Sequence, residues 1–134
     1  MPTDHAKSPA YLGLQPLRIP AGWRIDWNTL DATRRVEDGA FGGSSVFSAT
    51  NDGRRFQIDV AFRPEHDPAG KFHLTVLYQP WPRTGRGRRR TEVPLRFDAD
   101  AEDVHGSETA SFAELVDQLE NWIAHCTVWM REGN

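Results

Sequence analysis

The sequence predicts an α+β domain, in which an antiparallel β-meander of about four to five strands is packed on one face by a C-terminal amphipathic helix. Two observations predict this fold class. Successive segments alternate apolar and polar residues with the period of β-strands, and the last apolar residues recur every three or four positions, as on one helix face. Residues 1–20 hold four prolines and are expected to form a flexible or extended tail, which leaves residues 21–134 as a single α+β domain.

The first predicted strand is the segment WRIDW, residues 23–27. Trp23, Ile25 and Trp27 alternate with two polar residues and are expected on one face, with both tryptophans in the core. The segment from residue 28 to residue 45 is polar and ends in glycines and serines, so it is predicted to be a loop.

Further strands are predicted in the segments SVFSAT, RRFQIDVAFR and KFHLTVLY. The Asp52–Gly53 pair between the first two accommodates positive backbone dihedrals and therefore predicts a hairpin. Arg55 is expected on the polar, open face of the resulting sheet, opposite the face that the helix covers. The segment EVPLRF, residues 92–97, is predicted to be an edge strand, because Pro94 lacks an amide donor.

The helix is predicted to begin near Ser111, because Ser111 and Glu114 have the spacing of a capping box. Apolar residues then recur on a single stripe that is expected to pack against the sheet. The stripe comprises Phe112, Leu115, Val116, Leu119, Trp122, Ile123 and Cys126. The lone cysteine, Cys126, lies on this stripe and is interpreted as a small core residue.

Charge is distributed unevenly along the chain. The segment WPRTGRGRRR, residues 81–90, contains Trp81 and five arginines, and without these arginines the formal net charge would fall from −3 to −8. The arginines are Arg83, Arg86, Arg88, Arg89 and Arg90, and the acidic run DADAED that follows contains Asp98, Asp100, Glu102 and Asp103. Three interpretations stay open for these segments: mutual neutralisation, contact with a protein partner, or phosphate binding with Trp81 as a stacking platform.

No motif in the sequence predicts a cofactor or a metal ion. CxxC, HExxH, GxGxxG following a strand, the Walker loop and GxSxG are all absent. His73 and Asp59 fall on the predicted open face and could form an acid–base pair, which makes an enzyme a third hypothesis. The N-terminus lacks an apolar signal segment and no apolar run approaches the roughly 18 residues of a membrane span, so a cytoplasmic protein without membrane contact is expected.

The succession GWRIDWNTLD, FGGSSVFSATNDGRRFQIDVAFRPEHDPAGKFHLTVL and ELVDQLENWI resembles small bacterial proteins, some of which are similar to immunity proteins of toxin systems. The resemblance implies a non-enzymatic, cytosolic protein that binds and neutralises a cognate bacterial toxin. An acidic body suits this role, because carboxylates can occupy a site built for phosphate and speed association.

The leading hypothesis is therefore an immunity-like inhibitor whose protein partner is a toxin. Its partner-binding residues are expected in the acidic segment 98–103 and in the arginine loop 81–90. The alternative is a nucleic-acid-binding module that uses the arginine-rich loop 83–90.

Overall fold

The computed structural model describes residues 13–42 and 45–131. Within these residues, an antiparallel sheet contains five strands, which lie side by side in their chain order. The strands are Trp23–Asn28 (β1), Phe47–Asn51 (β2), Phe56–Arg63 (β3), Lys71–Tyr78 (β4) and Glu102–Thr109 (β5). The helix Phe112–Val128 (α1) follows β5 and packs on one face of the sheet. The predicted α+β meander with a C-terminal helix is confirmed.

Most of the tail predicted at residues 1–20 lies outside the described residues. Its last part is held against the domain: the Gln15 backbone N–H donates to the Leu30 carbonyl over 2.8 Å. The Arg18 N–H donates to the Glu120 carboxylate on α1 over 2.9 Å. The chain from residue 13 onwards therefore contacts both the loop that follows β1 and the helix.

The core lies between α1 and one face of the two central strands. Alternate residues of β3 and β4 are buried and face each other in register, as the period-two pattern predicts. They are Phe56, Ile58, Val60, Phe62, Phe72, Leu74, Val76 and Tyr78. From the helix, Leu115, Leu119, Ile123 and Cys126 are fully buried. The predicted apolar stripe thus supplies the helical side of the core.

The helix begins where the capping signal places it. The Ser111 side-chain oxygen accepts a hydrogen bond of 3.1 Å from the Glu114 backbone N–H, which satisfies one of the unpaired donors of the first turn. At the other end of the stripe, burial raises the pKa of the Cys126 thiol to about 12. The thiol therefore stays protonated, in keeping with a packing role for this cysteine.

Strand β1 departs from the predicted alternation. Its register against β2 shifts between Ile25 and Trp27, so that Trp27 lies opposite Ser48 on the open face, where it is 54% exposed. The prediction that Trp27 joins the core is wrong, because an extra residue in the strand reverses the side to which the following side chains point. Trp23 remains on the core side and donates its indole N–H to the Thr127 hydroxyl of α1 over 2.8 Å.

The fifth strand is not the segment 92–97. That segment is irregular, and the strand that pairs with β4 is Glu102–Thr109. Its sequence, EDVHGSET, is polar and shows no apolar alternation, because β5 lies at the edge of the sheet. Backbone hydrogen bonds to β4 hold this strand in the sheet, and the pattern of apolar and polar side chains does not predict such pairing.

Candidate interaction surface

The connection between β4 and β5, residues 79–101, contains most of the predicted site residues. Its two ends are tied together by Gln79, whose side chain is almost fully buried. The Gln79 amide donates to the Asp98 carboxylate over 3.0 Å, and its carbonyl oxygen accepts from the Asp98 backbone N–H over 3.1 Å. The Asp98 carboxylate also accepts from the Asp100 N–H over 2.8 Å, and these donors lower its pKa. Asp98 is therefore ionised and closes the connection into a loop.

A second anchor comes from the turn between β2 and β3. The sequence predicts positive backbone dihedrals at Asp52–Gly53, but within this turn Arg55 is the residue with a positive φ, of 65°. Its N–H donates to the Asn51 carbonyl over 2.7 Å, and the turn directs its side chain inward. The placement of Arg55 on the open face was wrong, since only 3% of this residue is exposed.

The Arg55 guanidinium binds the beginning of the connection. Its Nε donates to the Gln79 carbonyl over 2.7 Å, and one Nη donates to the Pro80 carbonyl over 3.3 Å. The guanidinium also lies 4.1 Å from the centre of the Trp81 ring, a cation–π contact. Burial lowers the pKa of Arg55, with the nearby Arg89 adding to the effect. Arg55 thus fixes residues 79–81 to the β2–β3 turn.

The arginines project from this anchor on a small hairpin, residues 83–90, called the arginine hairpin below. Arg83 and Arg89 form an antiparallel bridge, and the Thr84 N–H donates to the Arg88 carbonyl over 2.8 Å. Gly87 adopts a φ of 83° at the turn, a conformation that glycine tolerates without strain. Every residue from 83 to 90 is exposed. The loop predicted from the sequence is therefore an ordered, solvent-facing hairpin.

The five arginines differ in their contacts. Arg89 lies 5.6 Å from the centre of the Trp81 ring, and Arg90 pairs with Glu92 over 3.3 Å. Arg83 donates to the Gly87 carbonyl over 2.9 Å, which supports the turn. The side chains of Arg86 and Arg88 make no hydrogen bond or ion pair with another residue in the described part of the chain. These two arginines are the ones available to a partner.

In the described part of the chain, the acidic segment and the arginine hairpin form no ion pair with each other. None of the ion pairs among residues 13–42 and 45–131 joins the hairpin to the acidic segment. Glu102 instead pairs with Arg131, beyond the end of α1. Asp103 lies opposite Leu77 on the open face, and Asp100 is exposed beside Asp98. The two charged segments thus form no ion pair with each other in the described chain, although Arg83 and Gly87 of the hairpin line a surface pocket together with Glu102.

A cleft of about 670 Å³ lies along the connection, between its first and last residues. Its apolar lining consists of Pro80, Trp81, Pro82, Val93, Pro94 and Leu95. Its polar lining consists of Arg55, Gln79, Arg96, Asp98 and Asp100. The segment 92–97, predicted as a strand, thus forms one wall of this cleft.

The proposed acid–base pair on the open face does not form. Asp59 accepts a hydrogen bond of 2.9 Å from the Ser45 hydroxyl, and its register partner on β4 is Thr75. His73 instead approaches Glu108, with 3.8 Å between Nδ1 and the carboxylate. Burial raises the pKa of Asp59, but no hydrogen bond links it to His73.

The described residues also contain no group of three or more histidine, cysteine or acidic side chains that could hold a metal ion.

Sequence reasoning found the charged residues of this surface but missed the two side chains that organise it. Gln79 lies just past the last alternating residue of β4. Arg55 was placed on the open face by continuing the alternation of β3 backwards, and that alternation does not extend into the turn.

Comparison of the chain with protein-family models, curated proteins and solved structures gives no match. None of the helices among the described residues has the length and apolar character needed to span a membrane.

Proposed function

We propose that this chain is a non-enzymatic binding protein, an immunity-like inhibitor that binds and neutralises a cognate bacterial toxin. Its interface is the charged surface, defined here as Trp81 and the arginine hairpin together with Asp98, Asp100, Glu102 and Asp103. One observation carries the proposal. Arg86 and Arg88 are presented on an ordered hairpin, with no partner in the described chain, beside carboxylates that do not pair with them. Exposed charges of both signs that do not pair with each other, Arg86 and Arg88 on the hairpin and Asp100 and Asp103 in the acidic segment, suit a partner of complementary mixed charge.

The anchoring of the connection favours a protein partner. Gln79 and Arg55 hold both ends of residues 79–101, so binding would require little ordering of the backbone. Arginine and tryptophan are the residue types that most often dominate binding energy at protein interfaces. The acidic side would face the basic surface of a toxin that acts on nucleic acid, and the arginines would face its acidic regions. The cytoplasmic location expected from the sequence fits a partner of this kind.

Binding of a nucleic acid is the second candidate, because the exposed Arg86 and Arg88 could each displace counterions from phosphate. Two features count against it. Arg55 covers one face of the Trp81 ring, so only the opposite face is left for a base to stack on. The carboxylates of Asp98 and Asp100 lie on the same connection and would repel phosphates.

The test is a charge reversal on the hairpin. The double variant Arg86→Glu/Arg88→Glu is expected to weaken binding to the partner captured from the native host by about 100-fold, because each reversal removes an attractive contact and adds a repulsive one. Isothermal titration calorimetry measures the change. Arg34→Glu/Arg35→Glu is the charge-matched control: it makes the same charge change on the exposed loop after β1, where the two arginines pair with Asp31 and Glu37, and it should leave affinity within about threefold.

Protection in cells completes this test. Co-expression with the toxin-like product of a neighbouring gene should restore growth for the wild type and the control, and not for the hairpin variant. The proposal is refuted if no partner is captured and no such product is neutralised. If the wild type instead binds a single-stranded RNA or DNA oligonucleotide in fluorescence anisotropy, with an affinity that falls steeply with salt and is lost in the hairpin variant, the nucleic-acid candidate replaces it.

A further inference from the structure

Arg55 has more hydrogen-bond donors than its neighbours accept. A guanidinium carries five N–H donors, and the protein acceptors of Arg55 are the carbonyls of Gln79 and Pro80. Only 3% of the residue is exposed, and none of the ion pairs in the described chain includes it. A buried positive charge without a carboxylate partner is costly. The residue adds to this cost by adopting a left-handed backbone conformation.

Arg55 is one of the residues that line the cleft, together with the apolar wall. Trp81 covers one face of the guanidinium, and the carbonyls of Gln79 and Pro80 accept from Nε and one Nη, so the remaining Nη–H donors are where a further acceptor can bind. Val93, Pro94 and Leu95 form an apolar wall of the same cleft. A volume of about 670 Å³ lies within the range of small-ligand sites. The cleft therefore offers a buried cation and an apolar surface within one cavity.

We infer that the cleft binds an organic carboxylate carried on an apolar group, with Arg55 as its charge partner and the wall at residues 93–95 packed against the apolar group. A carboxylate matches the edge of a guanidinium with two parallel hydrogen bonds. The cleft lining holds two cations, Arg55 and Arg96, and two anions, Asp98 and Asp100, so a ligand with one negative charge meets less repulsion there than a phosphate with two. The inference does not depend on the proposed function, since its charge partner is Arg55, which is not part of the charged surface, although Asp98 and Asp100 line the cleft and belong to that surface.

The experiment uses the full chain and two pairs of probes. The first pair is 3-phenylpropionate and its neutral analogue 3-phenylpropanamide; the second is a tetrapeptide ending in phenylalanine, with a free or an amidated C-terminus. Binding is followed by NMR, through the side-chain Nε–H of Arg55 and the indole N–H of Trp81. Both acids should shift these signals in a saturable way, and both amides should bind at least about tenfold more weakly, because the charge-assisted bonds are lost.

The two acids distinguish the sources of the carboxylate. A peptide acid that binds about tenfold or more tightly than phenylpropionate would identify the C-terminus of a protein as the ligand class, because the peptide adds contacts along the cleft. Equal or weaker binding of the peptide would identify a free small acid. Both results support the site.

Variants of the cleft wall test the site without replacing Arg55, which anchors the connection. Leu95 is partly exposed and lies in an irregular segment, so Leu95→Glu should preserve the fold while placing a carboxylate in the cleft. Leu95→Glu is expected to abolish binding of both acids, and the uncharged Leu95→Gln to retain most of it. Ile25→Glu makes the same change on β1, away from the cleft lining, and should bind as the wild type does. The inference is overturned if neither acid shifts the Arg55 and Trp81 signals, if the amides bind as well as the acids, or if Leu95→Glu binds as tightly as Leu95→Gln.

Discussion

Truncating Phe72 to alanine is expected to lower the free energy of unfolding by about 3–5 kcal/mol, the range for deleting a fully buried phenylalanine. Its ring lies 5.0 Å from those of Phe41 and Phe62 and 5.9 Å from that of Phe112, measured between ring centres. Phe72 thus links β4 to β3, to the loop after β1 and to the first turn of α1. Its removal leaves a cavity that no neighbour can fill without moving one of these elements.

Urea denaturation followed by tryptophan fluorescence measures this change. The matched control is Val128→Ala at the end of α1, where the side chain is 72% exposed, and the expected change there is within about 0.5 kcal/mol. A loss below about 1 kcal/mol for Phe72→Ala would mean that this aromatic cluster does not join the helix to the sheet.

Replacing Arg55 is expected to release the start of the connection 79–101. Arg55→Ala removes the hydrogen bonds to the carbonyls of Gln79 and Pro80 and the contact with Trp81, and it should lower the free energy of unfolding by about 2–3 kcal/mol. Arg55→Gly removes the same contacts, but glycine tolerates the φ of 65° that alanine does not. The glycine variant should therefore be more stable than the alanine variant by about 1 kcal/mol.

Urea denaturation of the two variants, combined with amide hydrogen exchange, tests this assignment. In both variants the amides of residues 79–90 should exchange faster than in the wild type, while those of β3 and the buried helix stripe stay protected. Equal stability of the two variants, together with unchanged exchange in residues 79–90, would show that Arg55 neither holds strain nor anchors the connection.

The parts of the fold that could be predicted from the sequence are those with strong periodicity. In β3 and β4 every second residue is apolar and buried, and on α1 the buried residues recur every three or four positions. The sequence pattern and the structure therefore agree in these elements. Strand β5 could not be found in this way, since an edge strand is stabilised by its backbone pairing and its side chains can be polar. Trp27 was misplaced for a related reason: a bulge depends on pairing between strands, and one sequence segment does not record it.

In the candidate site, too, the features that are local in the sequence could be predicted and the contacts between distant residues could not. Clustered charge is visible in the sequence, and the exposed arginines and carboxylates lie on the connection where their order in the chain puts them. The contact of Arg55 with Trp81 joins residues far apart in sequence, and it depends on a turn conformation that the Asp52–Gly53 signal assigned to the wrong residues. Of the three interpretations of these segments, mutual neutralisation has no ion pair to support it among the described residues, where Asp98 contacts Gln79 and Glu102 pairs with Arg131.

The most direct test of the proposed interface is hydrogen–deuterium exchange of the protein alone and in complex with the partner captured from its native host. Binding through the charged surface predicts slowed exchange at residues 83–90 and 98–103, with no change on the open face of the sheet around Trp27 and Thr75. Slowed exchange confined to the open face, with residues 83–90 exchanging as in the free protein, would contradict the assignment of the charged surface as the binding site.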